Sequence, residues 1–294
     1  MNARRIRFSL IDGAVLLVVF LALAFFAYRI TVQLNYTWNW GSIPQFLFRY
    51  DKNSGHWVSN YLMQGLYTTL RLSLWASILA FALGVAMALA RTSRSLYLRL
   101  VALSFTELMR NLPPLVIIFL FYFFLADQLT PFLGLDRIQT GQNQLLEKIL
   151  TFLFAPPSSL SPFLTALLTL AIFESAYVAE IVRSGIESIH KNQWDACYAL
   201  GLTRFQSLCH VILPQALRRV LPPLTGQLIS LIKDSSIVSI ISIQELTYQG
   251  SQLMASTYLS IEVWITIASL YFLLTFPCSV LVEQLNRRLN RKNQ

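Results

Sequence analysis

Charge is what this sequence has least of. Asp, Glu, Lys and Arg together make up 13% of its 294 residues, against 55% hydrophobic residues, and its mean hydropathy is +0.55. A soluble protein of this size would leave much of that apolar surface in water, so lipid is the solvent that fits the composition. Cysteine is scarce as well: Cys197, Cys209 and Cys278 stand far apart and no CxxC occurs, so neither a metal site nor a redox pair is indicated. The three histidines, His56, His190 and His210, form no HExxH or paired intramembrane motif. No nucleophile and base can be assembled around them, which counts against an intramembrane hydrolase. No Gly-x-x-x-x-Gly-Lys-Ser/Thr segment is present, so the chain offers no nucleotide site of that kind.

What charge there is leans basic, with 23 Lys and Arg against 14 Asp and Glu. Nucleic acid is not the reason. The basic residues sit in short stretches beside long apolar runs, with no Arg-rich block, zinc spacing or interleaved aromatic platform.

Six runs are long and apolar enough to supply the roughly 20 helical residues that cross a hydrocarbon core about 30 Å thick. They lie near Leu10 to Ile30, Leu66 to Ala90, Phe105 to Ala126, Phe163 to Ile186, Leu221 to Leu246 and Ile261 to Leu285. None shows the short, strictly alternating pattern of a membrane β-barrel strand. The expected fold class is therefore an all-α integral membrane protein of about six transmembrane helices. The first run follows Arg4, Arg5 and Arg7 and is longer than many signal-peptide cores, so a retained anchor is expected.

Orientation follows from the basic residues of the short loops. With the N-terminus in the cytoplasm, six crossings put Arg4, Arg5 and Arg7, then Arg91, Arg94 and Arg99, then Lys191, Arg204, Arg218 and Arg219, and finally Arg287, Arg288, Arg291 and Lys292 on the inner side. The outer segments hold chiefly Arg49, Lys52, Arg137 and Lys148. Both termini are expected to be cytoplasmic. Two outer loops are long, about Thr31 to Tyr61 with Trp38, Trp40 and Trp57, and Asp127 to Pro162; the tryptophans read as interfacial anchors, contact with an external partner being the alternative.

The segment between the fourth and fifth runs, about Glu187 to Arg219, is too polar to cross yet carries apolar residues at helical spacing: Ala196, Leu200, Phe205, Leu208 and Ile212. It predicts a short helix from Trp194 to Leu200, a turn at Gly201, and a second helix capped by Thr203 and running toward Pro214. Asp195, near the expected start of the first helix, would suit the helix dipole.

Ionisable residues also fall in or near the apolar runs: Glu107, Arg110, Glu174, Glu180, Lys233, Asp234 and Glu262. An unpaired charge in hydrocarbon costs several kcal/mol, so each is expected to pair, to face the bundle interior or to sit at an interface. Arg110 with Glu107 is a candidate local pair; Glu180 and Arg183, with the same spacing at the cytoplasmic end of the fourth run, are expected to serve interhelix or ATPase-side anchoring rather than solute contact. Of the adjacent Lys233 and Asp234, one is expected to meet another helix. Glu174 is the best isolated candidate for a lumen residue, a hydrogen-bonded structural carboxyl being the alternative. Arg110-Asn111-Leu112-Pro113-Pro114-Leu115 either starts a helix or kinks one that began at Phe105.

The elbow segment carries a family pattern: Glu-Ala-Ala, three residues, Gly, nine residues, Ile, any residue, Leu-Pro. Here Asp195, Ala196, Cys197 and Gly201 are followed after nine residues by Val211-Ile212-Leu213-Pro214. Together with Gly65-Leu-Tyr-Thr-Thr-Leu70, the Arg110 to Leu115 segment, Ala176-Tyr177-Val-Ala-Glu180-Ile-Val-Arg183 and Leu231-Ile-Lys233-Asp234-Ser235-Ser236, it resembles the membrane subunits of binding-protein-dependent ABC importers, in the branch for polar amino acids. The departures are Asp195 for Glu, Cys197 for Ala and Val211 for Ile.

The resemblance implies the type I, MetI-like permease fold. It divides the chain into an extra N-terminal helix and outer loop (1–61), a permease core (62–289) with a coupling segment (190–215), and a basic tail (290–294). Asp195, Ala196, Cys197, Gly201, Leu213 and Pro214 would couple to the ATPase, and Glu174, Arg110, Lys233 and Asp234 are candidates for the translocation pathway. The implied partners are a cytoplasmic ATPase dimer that binds ATP and Mg, a second permease subunit, identical or homologous, and a periplasmic amino-acid-binding protein. The chain itself would carry no cofactor and do no covalent chemistry. Within transport, an opine, a sulfur amino acid or an amino-acid-like osmolyte is the alternative solute; a non-transport membrane anchor is the distant alternative.

Overall fold

The computed structural model describes residues 10–32, 36–52, 55–132 and 144–291. The chain divides into two compact units, one up to Trp40 and one from Gly41 onward. In the first, α1 (Leu10–Val32) is an apolar helix of 23 residues that coincides with the expected first run.

The second unit opens with α2 (Ile43–Leu47) and a hairpin in which β1 (Phe48–Asp51) pairs antiparallel with β2 (His56–Ser59). The bundle follows: α3 (Tyr61–Arg91), α4 (Leu96–Asn111), α5 (Pro114–Phe132), α6 (Gln144–Leu153), α7 (Leu160–Glu187), α8 (Lys191–Ala199), α9 (Arg204–Ser207), α10 (Leu213–Asp234), α11 (Leu246–Thr257) and α12 (Ser260–Arg291). Among the described residues, Tyr61–Arg91, Pro157–Glu187, Arg204–Ile241 and Ser260–Gln284 are long and apolar enough to cross a membrane. The bent pair α4 and α5 makes a fifth if counted as one.

The centre is the seam between α3 and α7. Buried positions of α3 recur every three or four residues and are mostly small: Gly65, Thr69, Ser73, Ala76, Ala80, Gly84 and Ala88. Small residues let helices approach closely, which in lipid replaces the hydrophobic effect as the source of association. At Gly84 the approach is closest, since a Cβ there would lie 2.6 Å from Val178 Cβ. Leu72, Ala76 and Ala80 of α3 meet Phe163, Leu167, Leu170 and Ala171 of α7, with Ile118 of α5 and Leu231 of α10 closing the core.

Two expected spans are corrected. The run from Phe105 to Ala126 is not one helix: α4 ends at Asn111 and α5 begins at Pro114, with 117° between them. Leu112 before Pro113 is held extended at ψ 149°, as the proline ring requires of its predecessor. The carbonyl of Pro113 then accepts from Val116 and Ile117 and opens α5. Of the two readings of the double proline, the helix start is the observed one. The run from Leu221 to Leu246 instead begins well before Leu221, as a helical stretch from Arg204, and leaves the helix at Ile241. There Ser242 turns the chain with φ 62°. Glu245 and Leu246 belong to the next element, because the Glu245 carboxylate caps α11 by accepting from the backbone N–H groups of Thr247 and Tyr248.

Candidate functional site

The elbow forms as its spacing predicts, with adjusted ends. Its first helix, α8, starts at Lys191, three residues earlier than expected. Asp195 therefore sits in mid-helix, where the N-terminal dipole has faded, and the dipole argument for it does not hold. After Ala199 the chain closes in a Schellman motif: the N–H of Leu202 donates to the carbonyl of Cys197, and that of Gly201 to Tyr198. Gly201 has φ +74° with nothing within 4 Å of where a Cβ would stand. Glycine is needed there for its backbone conformation alone. Thr203 then caps α9 in a reciprocal capping box with Gln206. The helix does not stop at Pro214 but passes through a π-turn at Leu208–Ile212 into α10, with Pro214 in the first turn.

The same elements aim the side chains. Leu200 and Phe205 stand 79% and 74% exposed at the tip, with Asp195, Ala196 and Pro214 also exposed and Leu213 half-buried. Cys197 differs from the other positions of the pattern: it is buried and faces away from the exposed tip. Behind the tip the elbow is braced at three places. Arg204 stacks over the Trp194 ring at 6.0 Å and donates to the carbonyl of Thr92. Gln215 donates to Gln193 Oε1 at 3.2 Å, and Arg219 donates to both oxygens of Ser188. Trp194, Leu208 and Val211 pack on the buried cluster of Ile186, Ile189, Ile212 and Ala216.

Just above the elbow lies a charge cluster that joins three helices. The Glu180 carboxylate of α7 receives Arg91 of α3 at 2.6 Å, Arg110 of α4 at 3.5 Å, and Arg183 of its own helix. Arg91 also contacts Glu107 at 4.0 Å and donates to Thr106. The interhelix anchoring expected of Glu180 and Arg183 is present, Glu180 joining α3 and α4 to α7 and pairing with Arg183 as well. The expected local pair of Arg110 with Glu107 does not form: Arg110 reaches Glu180 of α7 instead, and Glu107 accepts from Asn111. Sequence reading counted Arg91 among loop charges and missed its role. Its partner Glu180 is 89 positions away, a separation that no local pattern registers.

Glu174 lies in the middle of α7 and is fully buried. Its Oε2 accepts from Gln227 Nε2 of α10 at 2.7 Å, while Oε1 has no partner among the described residues. Gln227 in turn lines a cavity of about 590 Å³ whose walls include Ser77 of α3, Thr225 of α10 and Cys278 of α12. Glu174 thus stands one side chain behind the cavity wall. Lys233 is exposed and Asp234 half-buried, and among the described residues neither forms an ion pair with another helix. The four pathway candidates are not brought together: Arg110 belongs to the charge cluster and Glu174 to the interhelix hydrogen bond.

A second buried carboxylate, Glu245, escaped sequence reading. Besides capping α11 it accepts from Tyr271 at 2.9 Å and contacts Thr69 at 3.4 Å, tying α3, α11 and α12 together. Its only local signal is an acidic residue just ahead of a helical run.

Among the described residues, four membrane-length helices and the bent α4–α5 pair, with a braced, exposed elbow between α7 and α10, form a membrane permease domain. Residues 80–291 match the family described as binding-protein-dependent transport system inner membrane component, and the chain belongs to that family. It is 35% identical over 229 residues to the probable glutamine ABC transporter permease protein GlnM of Bacillus subtilis (strain 168), covering 78% of this chain and 93% of that one. It is 35% identical over 223 residues to the glutamine transport system permease protein GlnP of Escherichia coli (strain K12), covering 74% and 90%. A chain in the crystal structure of an amino acid ABC transporter with histidines superposes with a TM-score of 0.64 at 30% identity, over 86% of this chain and all of that one.

Proposed function

We propose that this chain is the membrane-spanning subunit of an ATP-driven importer of polar amino acids. In this reading the elbow docks on a separate cytoplasmic ATPase that binds ATP and Mg, a second permease subunit completes the passage, and a periplasmic protein delivers the solute. The observation that carries the reading is the elbow: an apolar tip held away from the bundle on three braces, in a family defined by binding-protein-dependent transport. Energy released in another polypeptide must cross a protein interface, and a stiff projection is suited to carry it.

The charge distribution supports a cytoplasmic elbow. Arg91, Arg94, Arg99 and Arg204 line one open cleft beside it, in keeping with the excess of basic residues on the inner side of membrane proteins. Both termini are then cytoplasmic; residues 1–9 and 292–294 lie outside the described residues. Support for a second permease subunit comes from α12, of whose most apolar window only 6% is buried within the chain. Such a face must meet lipid or another helix. Glu174 is assigned to the wall of the passage, acting through Gln227, and Lys233 and Asp234 to its far end.

The test is reconstitution with the cognate ATPase and binding protein in vesicles. ATP-dependent uptake of glutamine or another polar amino acid, absent when the permease is omitted, is the expected result. Uptake confined to solutes that are not amino acids refutes the substrate class. ATPase copurification without any solute-stimulated turnover refutes transport altogether.

A further inference from the structure

A cavity of about 410 Å³ opens at the end of the bundle opposite the elbow, between the start of α3, the turn into α7 and the Ser242–Gln249 segment. Its size falls at the lower end of the roughly 300–1,000 Å³ typical of small-molecule sites. Its walls are mixed: Ala155, Pro162, Phe163 and Ile243 are apolar, while Gln64, Tyr67, Thr68, Arg71, Ser159 and Gln249 bring polar groups to it.

Two of these side chains are notable for what they do not contact. Arg71 has no carboxylate within ion-pair distance among the described residues. Gln249, 8% exposed, makes no side-chain hydrogen bond to a described residue and lines the cavity, so its amide is available to a solute there. A neighbouring cleft on the other side of Arg71 holds Glu147 and Lys148, charges of opposite sign that leave the local balance basic.

Depth supports an aqueous role. At 1.5 Å per residue the 31 residues of α3 span about 46 Å, well beyond a hydrocarbon core of about 30 Å. With Arg91 at the elbow-side boundary, about 20 residues fill the hydrocarbon, which puts Arg71 at the opposite headgroup boundary. A guanidinium there can remain charged in water-filled space and present its planar fork to a carboxylate.

We propose that this cavity is an entry subsite that receives the carboxylate of a small zwitterionic solute on Arg71, with the Gln249 amide as a second contact. The assignment rests on the amino-acid reading above for the identity of the solute. A carboxylate could also arrive on an acidic side chain of a docked binding protein. The test must therefore separate the two sources.

The experiment uses the permease–ATPase complex in lipid nanodiscs without binding protein, carrying Thr68→Cys as a reporter. The wild-type complex, with its native cysteines, serves as the labelling background. Anionic methanethiosulfonate ethylsulfonate should label the reporter several-fold faster than the cationic trimethylammonium reagent. Millimolar l-glutamine should slow labelling, whereas 4-aminobutanamide, the same molecule without its carboxylate, should not. Adding Arg71→Gln should abolish both the charge preference and the protection, and Arg71→Lys should keep part of each. In uptake assays with binding protein, Arg71→Gln at normal folded yield should raise KM several-fold more than it lowers kcat.

Equal protection by the two ligands, or labelling unchanged by Arg71→Gln, overturns the subsite even where wild-type uptake of glutamine is normal. Protection that appears only with the binding protein present assigns Arg71 to protein docking and equally overturns the proposal. Carboxylate-dependent protection in a complex that imports no amino acid would leave the subsite standing and refute the substrate reading instead.

Discussion

Substituting Gly201 separates the elbow's shape from its chemistry. The residue sits at φ +74° with open space around the missing Cβ, so any effect of a larger side chain is conformational in the isolated chain. An l-residue in the left-handed region costs about 1–2 kcal/mol, more when β-branched. Leaving that region also breaks the two Schellman hydrogen bonds from Gly201 and Leu202, each worth about 1 kcal/mol net. The bundle core lies elsewhere, so the chain relieves strain by distorting the elbow rather than by unfolding. A cost of about 2 kcal/mol reduces the fraction of elbows in the docking shape roughly thirtyfold, and about 1 kcal/mol reduces it roughly fivefold. Gly201→Val should therefore leave membrane yield unchanged while strongly lowering ATPase copurification or uncoupling hydrolysis from uptake. Gly201→Ala should be milder and Gly201→Asn milder still, because asparagine tolerates the left-handed conformation. The assay is the subunit ratio after purification in detergent, followed by hydrolysis and uptake in vesicles. Wild-type assembly and uptake for Gly201→Val would refute both the geometric argument and the coupling role.

At Gly84, where a Cβ would lie 2.6 Å from Val178 Cβ and 2.8 Å from the Ser175 carbonyl, Gly84→Leu should part the central seam and cut the yield of monodisperse protein by size-exclusion chromatography; unchanged yield would show that α3 and α7 do not pack as described. Glu180→Gln removes the one carboxylate on which Arg91, Arg110 and Arg183 converge and, the cluster being half-buried, should destabilise by about 1–2 kcal/mol, between the values for exposed and buried pairs, read as a lower thermal midpoint. Glu174→Gln can still accept from Gln227 and should fold at near-normal yield with slowed transport, whereas Glu174→Ala forfeits the bond at about 1–3 kcal/mol; normal yield and unchanged transport in both variants would remove Glu174 from the passage. Cysteines at Ser159 and Asn293, probed in intact cells with an impermeant thiol reagent, should be labelled only at the former, and the reverse pattern would invert the proposed orientation.

The spans that hydropathy located well, α3, α7 and α12, are those whose apolar residues and helix axis run together without interruption. Hydropathy carries no direction. The run from Phe105 to Ala126 therefore looked continuous although Leu112 and Pro113 turn the chain through 117°, and the run ending at Leu246 concealed the left-handed Ser242. The elbow was legible because its determinants are local: a glycine at C′, a threonine cap with glutamine three residues on, and apolar residues at helical spacing. The charge cluster was not, because Arg91 and Glu180 meet only after α3 and α7 have packed. Arg71 was passed over for a related reason, being a single cation inside a run whose average stays apolar.

The placement of the elbow and of the far cavity on one continuous element bears on how they communicate. The helical stretch from Arg204 to Ile241 is 38 residues long, about 60 Å, and runs from the exposed Phe205 to the turn at Ser242 that borders the far cavity. A push at one end of such a rod reaches the other only where the rod is stiff. Leu208–Ile212 is a π-turn, and Pro222 and Pro223 remove two N–H donors from the interior of α10. Both features are the recognised sites of helix bending. The carbonyls that lose their helical donor are those of Arg218 and Arg219, and the Thr225 hydroxyl adds a bond to the carbonyl of Pro222 on the far side of the pair. On the proposed function, displacement of the elbow would thus be divided between translation of the whole rod and bending at the proline pair. Bending at Pro222 and Pro223 moves Gln227, four residues on from Pro223, relative to α7. The Gln227 bond to Glu174 spans that joint, and its length is the coordinate that would report whether the rod slides or bends.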